Sequence, residues 1–202
     1  MVANSPTEML EAEHRVIAKV IGAAPVLADQ CDAGHAVDVD LLGAIVEFMR
    51  TFANQCHHGK EELLLFPALG RKGVPLQGCP VCQALAAEHA RGRVLVKELA
   101  DATDAQRRGE PGAKELVTSA LRGIAALYPN HIWKEDYLLF PMTNKVLNLE
   151  EQQLLSGEFE KVDERIGLNQ RQRLEAFADH VAEITLTVDG EVGPYTSGPL
   201  AS

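Results

Sequence analysis

Two stretches of this chain are versions of each other, and they limit what the rest can fold into. One is His57-His58-Gly59-Lys60-Glu61-Glu62-Leu63-Leu64-Leu65-Phe66-Pro67. The other is His131-Ile132-Trp133-Lys134-Glu135-Asp136-Tyr137-Leu138-Leu139-Phe140-Pro141. Superposing the Phe-Pro pairs gives an offset of 74, and the same offset pairs His57 with His131, Lys60 with Lys134, and Glu61 with Glu135. A histidine and a glutamate four residues apart share one face of an α-helix, about one turn apart. An imidazole and a carboxylate so placed can bind one metal ion or two adjacent ones. His58 and Glu62 have the same spacing. The repeat selects His57, because His58 falls opposite Ile132.

The repeat extends backwards. Glu13-His14 and Glu88-His89 stand at an offset of 75, and both lie early in segments with helical apolar periodicity. The chain therefore reads as two copies of one unit: a helix bearing Glu-His, then a helix bearing His-x-x-x-Glu and ending near Phe-Pro. Two such hairpins predict an all-α, antiparallel four-helix bundle. Ser5-Pro6-Thr7-Glu8 reads as the start of the first helix. Pro25 weakens that helix, and Cys31 to His35 reads as a loop. The second helix is expected from Val39 to Leu65, and a Gly- and Pro-rich loop from Pro67 to Val81. The third runs from Cys82 to Ala102 and the fourth, after Gly109-Glu110-Pro111-Gly112, to Leu139. One or two further helices follow, from Asn148 to Ile166 and from Asn169 to Glu183. Ile184 to Val188 alternates weakly, as a strand would. The expected organisation is a bundle over 1–147, a helical extension packed on it over 148–186, and a flexible tail over 187–202.

Charge removes several function classes. The formal net charge is −10, which argues against nucleic acid or an anionic membrane as partner. No apolar run approaches the roughly 20 residues of a membrane span. The N-terminus shows no secretory pattern, so a cytoplasmic location is expected. Four cysteines among 202 residues do not make a disulfide scaffold.

The repeat supplies four imidazoles and two carboxylates to a bundle core, where such groups are costly unless paired or metal-bound. Six donors exceed the four that close a tetrahedral zinc site. Mixed nitrogen and oxygen donors with carboxylates able to bridge suit two iron or manganese ions. His14, His57 and Glu61, with His89, His131 and Glu135, are therefore assigned to a dinuclear centre. Glu61 and Glu135 bridge, the histidines are terminal, and the open positions take hydroxide, oxide, dioxygen or peroxide.

The pattern His14, His57-x-x-x-Glu61, His89 and His131-x-x-x-Glu135, with its Leu-Leu-x-Phe-Pro-like tails, resembles the hemerythrin-like (HHE cation-binding) family over Glu8 to Asn144. The resemblance implies a four-helix bundle with a non-haem di-iron centre. Its cofactor would be two iron ions joined by an oxide or hydroxide, with manganese or zinc as substitutes. Oxygen-carrying members have a fifth histidine in an HxxxH pair on the third helix; here that position is Arg93. Asp136 completes the HxxxxD of those members and competes with Glu135. A more open centre favours redox chemistry with peroxide or dioxygen over reversible oxygen carriage. The alternatives are a sensor or store for oxygen, nitric oxide or iron, and a donor of iron to damaged iron–sulfur centres. The expected assembly is a monomer or homodimer.

Other residues divide between roles. His58 and Glu62 each read as a hydrogen-bonding neighbour of the ligands or as helix surface, surface being the plainer reading for Glu62. Glu13 and Glu88 adjoin histidines and so point to another face, solvated or paired with Arg and Lys. Tyr128 lies three residues before His131, where its hydroxyl could reach the centre or a bound peroxide; a core tyrosine is the plainer reading. Cys79-Pro80-Val81-Cys82 is a CxxC at a helix start, read as a surface thiol pair. Cys56 is expected in the core. His35 and His180 lie outside the repeat and carry no functional role.

Overall fold

The computed structural model describes residues 4–35 and 37–186, the side chains of 185–186 excepted. The expected tail over 187–202 and the end of the alternating Ile184–Val188 run lie outside the described residues. Among the described residues every regular element is helical. None of these helices is long and apolar enough to cross a membrane.

Helix α1 is Pro6–Asp32. Its start is the expected capping box: Ser5 accepts from Glu8 N–H while the Glu8 carboxylate accepts from Ser5 N–H. Pro25 does not end it, and the helix runs on through Cys31 and Asp32, which the sequence reading gave to a loop. Helix α2 covers 39–71 and is not uniform. Val39–Phe48 is α-helical, Met49–His58 and Glu61–Leu65 are π-helical, and Phe66–Arg71 returns to α. Helix α3 is Pro80–Arg107, longer at both ends than expected. Helix α4 covers 113–146, with Ala113–Lys134 α-helical, Glu135–Leu139 π-helical and Phe140–Val146 α-helical. Helix α5, Leu149–Ile166, carries a second capping box on Asn148, and α6 is Leu168–Leu186.

The Phe-Pro pairs were expected to close helices, yet both helices pass through them. A proline inside an α-helix clashes with the carbonyl four residues back and lacks the N–H that would bond it. At both Phe-Pro pairs the preceding turn is widened, whereas Pro25 and Pro129 lie within α-helix. Phe66 N–H reaches Glu61 C=O and Phe140 N–H reaches Glu135 C=O, each five residues back. Pro67 and Pro141 then sit just inside renewed α-helix, and the 67–81 segment is a loop only from about Lys72.

Helix α1 packs on α4 and α6, α3 packs on α2 and α4, and α5 covers α1 and the π-helical part of α2. Close approach of α3 to α4 depends on two glycines. A Cβ at Gly92 would meet Tyr128 Oη at 2.8 Å, and one at Gly123 would collide with Leu95. Two apolar clusters form. One holds Phe48, Phe52, Leu99, Leu121, Tyr128 and Phe177; the other holds Leu10, Leu65, Leu85, Phe140 and Phe159. The repeat's polar residues lie between them: His14 stacks on Phe140, His89 on Phe66, and His131 meets Tyr128 edge-on. Cys79 and Cys82 belong to the second cluster, are both buried, and form a disulfide, so they are not the surface thiol pair expected.

Helix α6 is held by Leu174, Phe177, Ala178 and Val181, all fully buried, with Phe177 against Phe48. Phe177→Ala should cost about 3–5 kcal/mol of stability, the range for emptying a buried phenylalanine site. Urea denaturation checks this; a loss under about 1 kcal/mol would mean that α6 adds little to the core.

Candidate metal centre

The structure brings the six repeat residues into one buried volume. His14, His57, His89 and His131 are each at most 3% exposed, and Glu61 and Glu135 are fully buried. All four histidines present their Nε2 atoms inward. His14 Nε2 lies 2.9 Å from Glu135 Oε2 and 3.0 Å from His57 Nε2. His57 Nε2 is 3.7 Å from Glu61 Oε2. On the other side His89 Nε2 is 3.3 Å from both Glu61 Oε2 and Glu135 Oε1, and His131 Nε2 is 3.1 Å from Glu135 Oε1. Glu135 thus belongs to a group with His14 and His57 and to a group with Glu61 and His89.

The outward nitrogens explain why the inward ones point as they do. Each Nδ1 meets a carboxylate on another helix. His14 Nδ1 is 2.6 Å from Asp136, His57 Nδ1 3.1 Å from Glu13, His89 Nδ1 2.8 Å from Glu62 and His131 Nδ1 3.1 Å from Glu88. A carboxylate that accepts from Nδ1–H fixes the tautomer and leaves the Nε2 lone pair facing in, as metal-binding histidines require. These four carboxylates obey the repeat as well: Glu13 and Glu88 stand at offset 75, Glu62 and Asp136 at offset 74. So do the lysines behind them. Lys60 Nζ is 2.5 Å from Glu13 Oε1, and Lys134 pairs with Glu88.

The structure decides between open readings here. Of the two readings of Glu13 and Glu88, pairing holds: Glu13 is 1% exposed and bonds Lys60 and Arg171, and Glu88 pairs with Lys134. Each also bonds a histidine on another helix, which was not expected. Glu62 is held between His89 and the Arg93 guanidinium, which reaches both its oxygens at 2.6 Å. Asp136 does not compete with Glu135, because it binds the outer nitrogen of His14. The reason is common to all four: each adjoins an inward histidine or glutamate and so points to another face, but in a bundle that face abuts the next helix.

His58 lies closer to the centre than its position on an ideal helix suggests. It is 2% exposed, stacks on His89 at 3.9 Å, and has a ring nitrogen within 4.8 Å of donor atoms of His89 and His131. The α-helical rule of about 100° per residue does not apply, because His57 and His58 end a π-helical segment. Tyr128 is buried, nearly parallel to His58 at 6.4 Å and edge-on to His131 at 5.9 Å.

Charge is densely balanced. Burial works against protonation of His14 and His89, but hydrogen bonds outweigh it. Those with Asp136 and Glu135 raise His14 to about 10, and the Glu135, Glu61 and Glu62 carboxylates close to its ring raise His89 to about 11. Burial would raise Glu135, yet the charge of the adjacent His131 and the nearby His14 and His57 rings hold it far below the usual carboxylate range. His58 is the exception: burial, and then the charge of His89, push its pKa well below normal. Four donor atoms are left without hydrogen bonds: both Glu61 oxygens, His131 Nε2 and His58 Nδ1. A buried polar atom without a partner costs roughly 1–3 kcal/mol. Orphaned donors converging on one volume fit a cation, and the histidine and glutamate groups here are able to hold metal.

A second polar cluster backs the first. Cys56, Lys60, Asp163 of α5 and Arg171 of α6 surround Glu13. Lys60 Nζ is 2.6 Å from Asp163 Oδ1, and Arg171 Nη1 is 2.8 Å from Glu13 Oε1 and 2.5 Å from Asp163 Oδ1. Cys56 is buried as expected, but among these charges rather than among hydrocarbons; burial, then the Glu13 carboxylate, raise its thiol pKa.

With this geometry established, comparison with known proteins places the chain. It belongs to the family described as Hemerythrin HHE cation binding domain, which matches residues 5–143. It is similar to uncharacterized proteins of Mycobacterium tuberculosis and Mycobacterium bovis, at 23% identity over 158 residues. That alignment covers 78% of this chain and 61% of each relative, so the chain spans about three fifths of their length. No solved structure matches it.

The Glu13 cluster predicts an acid limit to stability. Burial would raise the Glu13 pKa, but the His57 hydrogen bond and the Lys60 charge hold it well below the ordinary value. A depressed folded-state pKa stabilises fully above the unfolded value, about 4.3, and this contribution is lost as pH falls below it. Glu13→Gln should cost about 3 kcal/mol at pH 7 by leaving Lys60 and Arg171 short of a partner. Its stability should also fall less steeply than wild type between about pH 5 and pH 3. Urea midpoints against pH check this; parallel curves would contradict it.

Proposed function

We propose that His14, His57, Glu61, His89, His131 and Glu135 hold two iron ions in an antiparallel four-helix bundle of α1–α4, and that this centre reacts with hydrogen peroxide or dioxygen. In this reading residues 1–147 form the unit that carries the centre, and 148–186 form an extension that braces it. The observation that carries the proposal is the set of four Nδ1–carboxylate bonds, which leave four Nε2 atoms and two carboxylates facing one volume. Glu135 and Glu61 each sit in groups on both sides of that volume, so they are the bridging pair. When bound, iron would supply Lewis acidity and a change of oxidation level.

The protein's own contribution is positioning and exclusion. Asp136, Glu13, Glu62 and Glu88 hold the imidazoles in the donor tautomer. Phe66 and Phe140 stack against His89 and His14 and keep water from that flank. His58 Nδ1 has no partner and is the polar atom left to meet a small ligand beside the donors.

A sensor is the second reading, favoured by the link from His57 through Glu13 to Arg171 on α6. A shift at the centre would be felt in the extension through that chain of bonds.

Four measurements test the proposal on protein made in iron-rich medium. Elemental analysis should find two iron ions per chain; one zinc or no metal would overturn it. His57→Ala should lose one ion and bleach the visible absorption of the ferric protein, whereas His58→Ala should keep both. The opposite pattern would move the ligand register by one residue. Removing the metal should lower the melting temperature, because the orphaned donors lose their partner. On adding peroxide, steady turnover supports the enzyme, a lasting spectral change supports the sensor, and loss of iron to a chelator supports a donor.

A further inference from the structure

The two copies of the repeat diverge at one place around the site. His58 stands opposite Ile132 and Arg50 opposite Ile124 at offset 74, while Arg93 stands opposite Ala18 at offset 75. In each pair one copy has an apolar residue and the other a base. His58, Arg50 and Arg93 line a single cleft, with Val96, Lys97 and Tyr128. Its volume is about 210 Å³, below the roughly 300–1,000 Å³ of drug-sized sites and enough for a few water-sized groups.

The floor of the cleft adjoins the proposed centre. His58 lines it and also lies within 4.8 Å of donor atoms of His89 and His131. It is 2% exposed, and its Nδ1 has no hydrogen bond. Tyr128 flanks it, and the absence of a side chain at Gly92 makes room for the Tyr128 hydroxyl, which a Cβ would approach to 2.8 Å.

The rim is basic on a protein of net charge −10. Two of its bases are paired, Arg93 with Glu62 and Lys97 with Asp101, so the excess positive charge of the rim rests on Arg50. Arg50 has no acidic partner among the described residues. A cleft lined by one sign of charge concentrates ions of the other sign and raises their rate of entry.

We propose that this cleft is the entrance to the metal centre, that it selects small anions of the size of azide, nitrite or hydroperoxide, and that Tyr128 donates a hydrogen bond to the anion it admits. The proposal rests on the reading of the centre given above. It names the side of the bundle from which ligand arrives and the charge of that ligand.

The first test does not need metal. Val96→Cys puts a thiol in the cleft wall, and the wild-type protein, whose free cysteines Cys31 and Cys56 are buried, is the control. The thiol is modified with a sulfonate-bearing and a trimethylammonium-bearing methanethiosulfonate, each rate divided by that of the same variant unfolded in urea. The anionic reagent should be favoured by about tenfold at low salt, falling as salt rises. Arg50→Glu with Lys97→Glu should abolish or reverse the preference. Equal rates, a preference for the cation, or no modification at all would overturn the anion-selective cleft.

The second test uses iron-loaded protein. Azide should bind the ferric protein at least about tenfold more slowly once Val96→Cys is blocked by the reagent, and Tyr128→Phe should weaken azide by about threefold to tenfold with iron content unchanged. An unchanged azide rate in the blocked protein would overturn the entrance, and an unchanged affinity in Tyr128→Phe would overturn the role of the hydroxyl. Iron content measured on the same samples separates the two claims. A wild-type chain without iron sinks the metal centre, while the labelling rates still decide the cleft.

Discussion

Four buried imidazoles, each with its outer nitrogen tied to a carboxylate from another helix, are the constraint on which this structure turns. Burying such groups costs free energy unless every donor and acceptor is met. The chain meets the outer half with Asp136, Glu13, Glu62 and Glu88, and these bonds join α1 to α4, α2 to α1, α3 to α2 and α4 to α3. They close a ring around the bundle. On the inner side both Glu61 oxygens and His131 Nε2 are left without a partner, and the histidine and glutamate groups there are able to hold metal. A cation bound by them would link folding to metal binding through the same side chains.

The backbone is shaped to the same end. Both glutamates of the repeat begin a π-helical turn, and both turns finish at Phe-Pro. π-Helical turns are uncommon and gather at functional sites, because the inserted residue re-aims side chains that a regular helix would stagger. Here the wider turn also accommodates a proline inside a continuing helix. The extension then supports one half of the centre. Lys60 sits over Phe159 of α5, and Arg171 of α6 sits over Phe52 while bonding Glu13. Each cation meets carboxylates, so the buried charges offset one another.

The helical class and the converging six residues were readable from the repeat, because matched spacing in two copies is a stronger signal than any single histidine. The outer carboxylates were read only in part, although the same offsets carry them: Glu62 as a hydrogen-bonding neighbour or surface, Asp136 as a competing ligand, and Glu13 and Glu88 as solvated or paired with Arg and Lys. The bonds of Glu13, Glu88 and Asp136 to outer histidine nitrogens were missed because helix-face geometry places a residue on its own helix but is blind to the neighbouring one. The π-helical segments were invisible because an apolar period of about 3.6 residues assumes α-helical turns. That assumption put His58 beside the centre rather than in contact with His89, while the prolines of the two Phe-Pro pairs, read as breakers, ended α2 and α4 early. Cys79 and Cys82 lie in the apolar cluster of Leu65, Leu69 and Leu85 rather than at the surface, a burial that local sequence does not encode.

The central claim is a pair of metal ions bridged by Glu61 and Glu135. Anomalous diffraction from crystals of the iron-loaded protein, recorded on either side of the iron absorption edge, tests it most directly. The account predicts two peaks about 3.5–4 Å apart, each within bonding reach of both glutamates, one beside His14 and His57 and the other beside His89 and His131. A single peak, or metal bound away from Glu61 and Glu135, would contradict it.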